Sequence, residues 1–547
     1  MKKVLLSALI ATTGCSAAVG PQEGAPPSIG EKVAKQSAAD TDMPGHIDTD
    51  DVGKVPRTRQ VAPSTSTSPG SALGGGSTTV APATWNPVPG VPTIYAGTSL
   101  LLTDGTVMVQ DAGAGDWWKL TPDATGSYRN GTWSQLASMP NGYQPLYFAS
   151  AVLPDGRVIV EGGEYQAYQP AWQTLGAIYD PVADTWTSVD PPSGWDTIGD
   201  AQSVVLADGR FMLANCCTED AAILDPRTLS WTPFGTGKAD INDEEGWTLL
   251  WNGKVLTVDT NNLTDLDHTE IFDPRTATWS SAGDTPVLLA DQNAQGTGSW
   301  EMGPQVLRPD GTVFAAGATG HSAVYHPSGK WTAGPDLPVI AGQGQLDIAD
   351  GPAALLPNGH VLMVASPGVY EAPAHVLDFD GRTITEVGAP PQAPYDSSYN
   401  AMLLVLPTGE ILFTDQSNDV EIYASTGEPD CGAAPQVDEG SLPEALAPGK
   451  TYELGGTQLH GISQAVAYGD DVQAATNYPL VRIRNRATGH VTFARTHDFT
   501  TMSIAPGLYS RAKFDVPSGI ETGASDLEVV ANGIHSQPVP VNVGGCD

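Results

Sequence analysis

Seven residues stand eight positions ahead of seven short glycine turns, and most carry side chains able to bind or react: Ala96, Tyr147, Asp200, Glu244, Met302, Asp350 and Asn400. Their neighbours add Tyr95, Glu245, Trp300, Glu301 and Tyr399. Carboxylates converging on one point suit a hard cation or the hydroxyls of a polyol. The competing reading is a solvated loop face in an acidic protein. A second set, Asp259, Asn261, Asp265 and Asp267, alternates along "DTNNLTDLDH". Oxygen donors at such spacing can wrap Ca²⁺, but the glycine and closing glutamate of a calcium loop are missing, and a polar hairpin loop explains it as well. The sequence holds no Gly-x-Ser-x-Gly elbow, phosphate-binding loop or His-Glu-x-x-His.

The turns dictate the elements that must position these residues. They are Asp104-Gly105, Asp155-Gly156, Asp208-Gly209, Asn252-Gly253, Asp310-Gly311, Asn358-Gly359 and Thr408-Gly409, at intervals of 51, 53, 44, 58, 48 and 50 residues. Each lies between apolar runs, as in "SAVLPDGRVIVEGG", and supplies the positive φ of a tight hairpin. Several units then end in a strand, a turn and a strand opening at Trp, as in "AILDPRTLSWT". A four-stranded unit repeated at this period predicts an all-β chain built on a seven-bladed kelch-type β-propeller. The seventh unit ends early, at "VEIYAS", and the missing strand appears before the first unit, as "ATWNPVP". A ring closed by that strand leaves no long unpaired edge. The first strands of the blades line the central channel, so the seven equivalent positions are expected to circle its axis.

Residues 1–15 read as a signal peptide with a lipobox: Lys2 and Lys3, an apolar stretch, then Thr13-Gly14-Cys15, where Cys15 is the acylation candidate. Ordinary secretion is the alternative, and in either case the chain is exported, as a bacterial cell-surface or outer-membrane lipoprotein or as a secreted protein. Residues 16–80 are rich in Ala, Ser, Thr, Pro and Gly and read as a disordered linker. The propeller is placed at 81–430. Residues 431–547 carry about seven short strands without the turn repeat and are read as an immunoglobulin-like sandwich. Cys431 and Cys546 flank that domain and are expected to pair, while the adjacent Cys216 and Cys217 form a vicinal disulfide or remain two thiols. Lys+Arg of 25 against Asp+Glu of 62, net −37, repels nucleic acid and anionic lipid. Contact with a membrane is expected only through the N-terminal lipid.

The propeller followed by a β-sandwich, with "YFASAVLPDGRVIVEGG", "YNAMLLVLPTGEILF" and "RTHDFTTM", resembles galactose oxidase and glyoxal oxidase, the copper-radical oxidases, over residues 83 to 547. The resemblance implies a copper site in which a tyrosine is crosslinked to a cysteine of the preceding blade, with an axial tyrosine and two histidines. The crosslinked tyrosine falls on Tyr147, the aromatic stacked on it on Tyr165, and the axial tyrosine on Tyr399. The cysteine falls on Ala96 and the first histidine on Asn400, while the second falls on His497, with His490 as a weaker choice. Ala96 has no sulfur and Asn400 is a poor copper ligand, so copper is disfavoured as a cofactor and Ca²⁺ is kept as the alternative. The expectation is an exported propeller that recognises a carbohydrate, another hydroxyl-rich ligand or a surface protein. It does so through Tyr147, Tyr165, Asp200, Glu244, Glu245, Glu301, Asp350, Tyr399 and Asn400. The alternative is an alcohol or aldehyde oxidase with a remodelled metal centre, using Tyr147, Tyr399 and His497.

Overall fold

A computed structural model describes residues 84–262, 264–291, 299–368 and 371–544. Cys15, the 1–15 targeting segment, the 16–80 linker and Cys546 lie outside them, and with Cys546 the expected pairing to Cys431.

All seven glycine turns are hairpins. Gly105, Gly156, Gly209, Gly253, Gly311, Gly359 and Gly409 take φ between +75° and +86°, a region open mainly to glycine. The residue before each glycine completes the turn by accepting a backbone N–H two positions on. Asp104 accepts from Thr106, Asp155 from Arg157, Asp208 from Arg210, Asn252 from Lys254, Asp310 from Thr312, Asn358 from His360 and Thr408 from Glu410. The Asp, Asn or Thr of the repeat is thus a local hydrogen-bond acceptor.

Each turn joins the two inner strands of an antiparallel sheet. The innermost strands are Ala96–Leu101, Ala149–Val152, Ser203–Val205, Thr248–Leu249, Met302–Leu307, Pro352–Leu355 and Met402–Val405, giving seven blades. The seventh has three strands of its own. Its fourth is Thr84–Pro87, paired antiparallel with Val420–Ala424, so the ring is closed by chain from the other end. The tryptophans that open the outer strands tie neighbouring blades. Trp186 donates to the Ala137 carbonyl, Trp231 to Asp190, Trp331 to Thr269 Oγ1 and Trp85 to Gly388, each across a blade boundary.

The C-terminal segment forms its own β-structure around a separate core that includes Leu454, Val481, Phe514, Leu527 and Val541. Strand Val491–His497 pairs with Leu480–Asn485 at its start and with Tyr509–Asp515 at its end. One piece of this segment leaves that core and threads the propeller. Ser463 Oγ donates to Leu307 O, Gln464 accepts from the Leu249 N–H, and the Ala465 carbonyl accepts from Leu355 N. Val466–Tyr468 then adds as a fifth strand to blade six, against Pro352–Leu355. On the return, Gln473 O accepts from Ser150 Oγ, and Tyr478 hydroxyl bonds the Leu101 carbonyl. Residues 463–478 therefore plug the bore, in contact with blades on opposite sides. Among the described residues no helix is long and apolar enough to cross a membrane.

Candidate functional site

Of the seven ring positions, only Ala96 and Met302 begin a strand. Tyr147, Asp200, Glu244, Asp350 and Asn400 lie two to four residues ahead of theirs, in the loops that enter the channel. The backbone there is tightly turned: Tyr147, Glu244 and Asp350 have φ of +51°, +63° and +44°, which turns their side chains out of strand alternation. A chain of main-chain bonds links blades four, five and six at this level. Met302 N donates to Glu244 O at 3.0 Å, and Asp350 N donates to Met302 O at 3.3 Å.

These bonds bring the acidic side chains together. Glu244, Glu301 and Asp350 each offer a carboxylate oxygen, and the three lie within 4.8 Å of one another. Glu244 and Glu301 are buried and Asp350 is half-buried. Ser299 Oγ donates to Glu301 at 2.7 Å. Such a group can chelate a hard cation or accept several hydroxyl hydrogens.

Phenols enter the mouth from blades two and seven. Tyr147 hydroxyl accepts from Gln416 Nε2 at 2.9 Å, and its ring meets Tyr165 edge-on at 6.1 Å. Burial raises the Tyr147 pKa well above its ordinary value, and neighbouring Tyr399 adds to this, so the phenol is held neutral. Gln416 N also donates to Ala96 O, and Ala96 N to Ser417 O, which seats blade seven against blade one. Asn400 is buried beside Tyr399 in the short turn Ser398–Asn400. Asp200 is buried at the mouth of blade three.

The plug completes the mouth with residues the repeat does not contain. Tyr468 hydroxyl donates to Tyr399 O at 2.6 Å, and Asp470 accepts from Glu244 N at 3.2 Å. Burial holds the Tyr468 phenol neutral, with Tyr147, Asp350, Asp471 and Asp470 close enough to reinforce it. Gly469 has no room for a side chain: a Cβ there would lie 2.6 Å from Asp350 Oδ1. Offset from the turns could not find this segment, because it belongs to no blade. The only signal was "YGDD" after an apolar strand.

Three expectations are corrected. His497 does not join Tyr147 and Tyr399. Its strand packs against the hairpin turns, through Thr496 N to Thr103 O and Arg495 to Asp155 O, and its ring nitrogens face Asp498 and Asp515, each at 3.3 Å. His490 faces Glu521 on the exposed side of the same domain. Glu245 points away from the mouth, accepting from Lys238 Nζ at 2.8 Å and Thr257 Oγ1 at 2.9 Å. The Asp259, Asn261, Asp265 and Asp267 set does not converge either. Asp259 bonds His268 at 2.5 Å, Asn261 Nδ2 donates to Asp243 O, the Asp265 carbonyl accepts from His268 N, and the Asp267 carbonyl accepts from Thr285 N.

Asp259 and Glu245 meet instead in a buried ion cluster inside blade four. Lys238 Nζ lies 2.5 Å from Asp240, 2.8 Å from Glu245, 3.0 Å from Glu270 and 3.8 Å from Asp259. Burial works against the ammonium, but these carboxylates outweigh it and hold Lys238 protonated. Burial raises Asp259 to about 7, partly offset by Lys238. Asp240, Glu245 and Asp259 have metal-like spacing, and the ammonium stands among them as the resident cation. Cys216 and Cys217 form the vicinal disulfide.

No protein-family model matches the chain. Kelch-like protein terF of Aspergillus terreus is 34% identical over 84 residues, 15% of this chain and 18% of that protein, so less than a fifth of that relative's length is matched. Among solved structures, a fungal alcohol oxidase in complex with copper is 13% identical at a TM-score of 0.48, over 85% of this chain and 99% of that one. A virginiamycin B lyase from Staphylococcus aureus is 8% identical at 0.42, over 63% of this chain and 99% of its own. The kelch-like relative agrees with the kelch-type propeller that the sheet topology establishes.

Proposed function

We propose that the channel mouth is an extracellular binding site for a small hydroxyl-rich ligand, a carbohydrate or other polyol, in a protein held at the cell surface through lipid on Cys15. One observation carries this reading: the carboxylates of Glu244, Glu301 and Asp350 gather within 4.8 Å, with Tyr468 beside Asp350 and within reach of Tyr147. Carboxylates accept hydrogen bonds from vicinal hydroxyls, directly or through a shared hard cation such as Ca²⁺, and phenol rings offer faces to a sugar ring.

The donor set does not fit radical copper. Ala96 has no sulfur to crosslink with Tyr147, Asn400 stands where an imidazole is needed, and His497 is engaged with Asp498 and Asp515. The test is calorimetric titration with monosaccharides and alditols, with and without Ca²⁺, on wild type and on Glu244→Gln and Glu301→Gln. Binding lost in both variants supports the reading. No binding in any condition, or stoichiometric copper with peroxide formed from a primary alcohol, refutes it.

A further inference from the structure

The disulfide between Cys216 and Cys217 is buried in the loop that joins Phe211–Ala214 to Ala221–Asp225 in blade three. That loop touches the mouth on two sides. On one side Cys216 N donates to Ile198 O at 3.0 Å. Its sulfur packs on Gly199, where a Cβ would lie 2.5 Å from Cys216 Sγ and 3.5 Å from Trp172. Gly199 has φ +73° and directly precedes Asp200.

On the other side the loop carbonyls hold Asn242, which is fully buried. Thr218 O accepts from Asn242 N at 2.9 Å and from Nδ2 at 2.8 Å, and Asp220 O accepts from Nδ2 at 3.0 Å. Asn242 stands two residues before Glu244, one of the three converging carboxylates. The loop itself is drawn tight by Asn215, whose N–H donates to Asp220 O and whose Oδ1 accepts from Cys217 N. One covalent ring thus sits between the chain leading to Asp200 and the chain leading to Glu244.

We infer that the Cys216–Cys217 disulfide is a positioning element that fixes the spacing of Asp200 and Glu244, so that reducing it loosens the acidic mouth while leaving the blades intact. The inference rests on the reading of the mouth as a binding site. Reduction by a phosphine supplies two electrons. The S–S bond becomes two thiols, and the phosphine takes oxygen from water to become its oxide.

The experiment is hydrogen exchange on the full-length oxidised protein, the phosphine-reduced protein and the Cys216→Ser/Cys217→Ser variant, beside Mn²⁺ titration followed by electron paramagnetic resonance. Reduction is expected to speed exchange at the Cys216 and Asn242 amides by roughly tenfold or more. It should also weaken Mn²⁺ binding by roughly 10–100-fold, as loss of outer-shell support does elsewhere, and reoxidation should restore both. Unchanged exchange at both amides overturns the inference. So does a rise spread evenly over all seven blades, which marks a general stabiliser; this outcome can be read from reduced wild type even where the variant does not fold. Local loosening in a protein whose oxidised form binds no Mn²⁺ leaves the inference standing and counts against a cation at the mouth.

Discussion

His460 offers a sharp test of how burial acts in this fold. Its side chain is 1% exposed, neither ring nitrogen has a hydrogen-bond partner, and the ring meets Phe499 edge-on at 5.2 Å. Burial lowers its pKa from 6.5 to about 4. The unfolded chain therefore takes up a proton below pH 6.5 that the folded chain refuses until about pH 4. The folded pKa is depressed, so this contribution to stability is full above the unfolded value and is lost as pH falls. Across that window the loss is about 3 kcal/mol. His460→Leu keeps a similar volume and removes both the proton site and two unpaired nitrogens, so at pH 7 its stability should equal or exceed wild type. Urea denaturation of both proteins between pH 4 and pH 7.5 measures the difference directly. Raised carboxyls such as Asp347 and Glu421 titrate in both proteins and cancel in the subtraction. The variant should gain about 3 kcal/mol on wild type as pH falls to 4. Two parallel curves would refute the reasoning and show that His460 accepts its proton in the folded state.

Lys238→Met removes the only ammonium from a nest of four buried carboxylates and should cost roughly 3–5 kcal/mol in denaturant titration, with partial recovery in millimolar Ca²⁺. Burial raises the Asp347 pKa to about 8. An acid raised on folding stabilises at low pH and loses that stability as pH climbs from its unfolded value. Asp347→Asn should therefore melt above wild type at pH 8, with the gap closing toward pH 4. Trp231→Phe deletes the bond to the Asp190 carbonyl between blades two and three and should cost about 1 kcal/mol beyond the lost packing, read from the shift in urea midpoint.

The ring was legible because its signals are local. A glycine that must take positive φ, with an acceptor before it, can be read without knowing what lies across the sheet. The same periodicity located Tyr147, Glu244 and Asp350, since equivalent offsets in a closed ring reach the same axis. It misplaced Glu245 because adjacent residues face opposite ways, and the positive φ of Glu244 turns one into the mouth and leaves the other in the blade. His497 was assigned by resemblance, whereas its strand runs along the turn side of the propeller. Tyr468, Asp470 and Asp471 were missed because a segment that threads a bore is defined by tertiary contacts alone. Lys238 was missed for a similar reason, as its four partners come from separate strands and loops of one blade.

The plug has a consequence for how the protein is made. Synthesis delivers the blades first, then Val420–Ala424, which must find Thr84–Pro87 across a sequence gap of 336 residues. Residues 463–478 follow, to occupy a bore already surrounded by strands, and Tyr478 reaches Leu101 across 377 residues. Contacts this distant in sequence are slow to form because loop entropy is lost before they repay it. Until residues 463–478 arrive, the unfilled channel leaves the Leu249 and Leu355 N–H groups and the Leu307 carbonyl without their partners from the plug. The nascent propeller is thus an open ring until Val420–Ala424 closes it, and a ring with an unfilled bore until residues 463–478 follow.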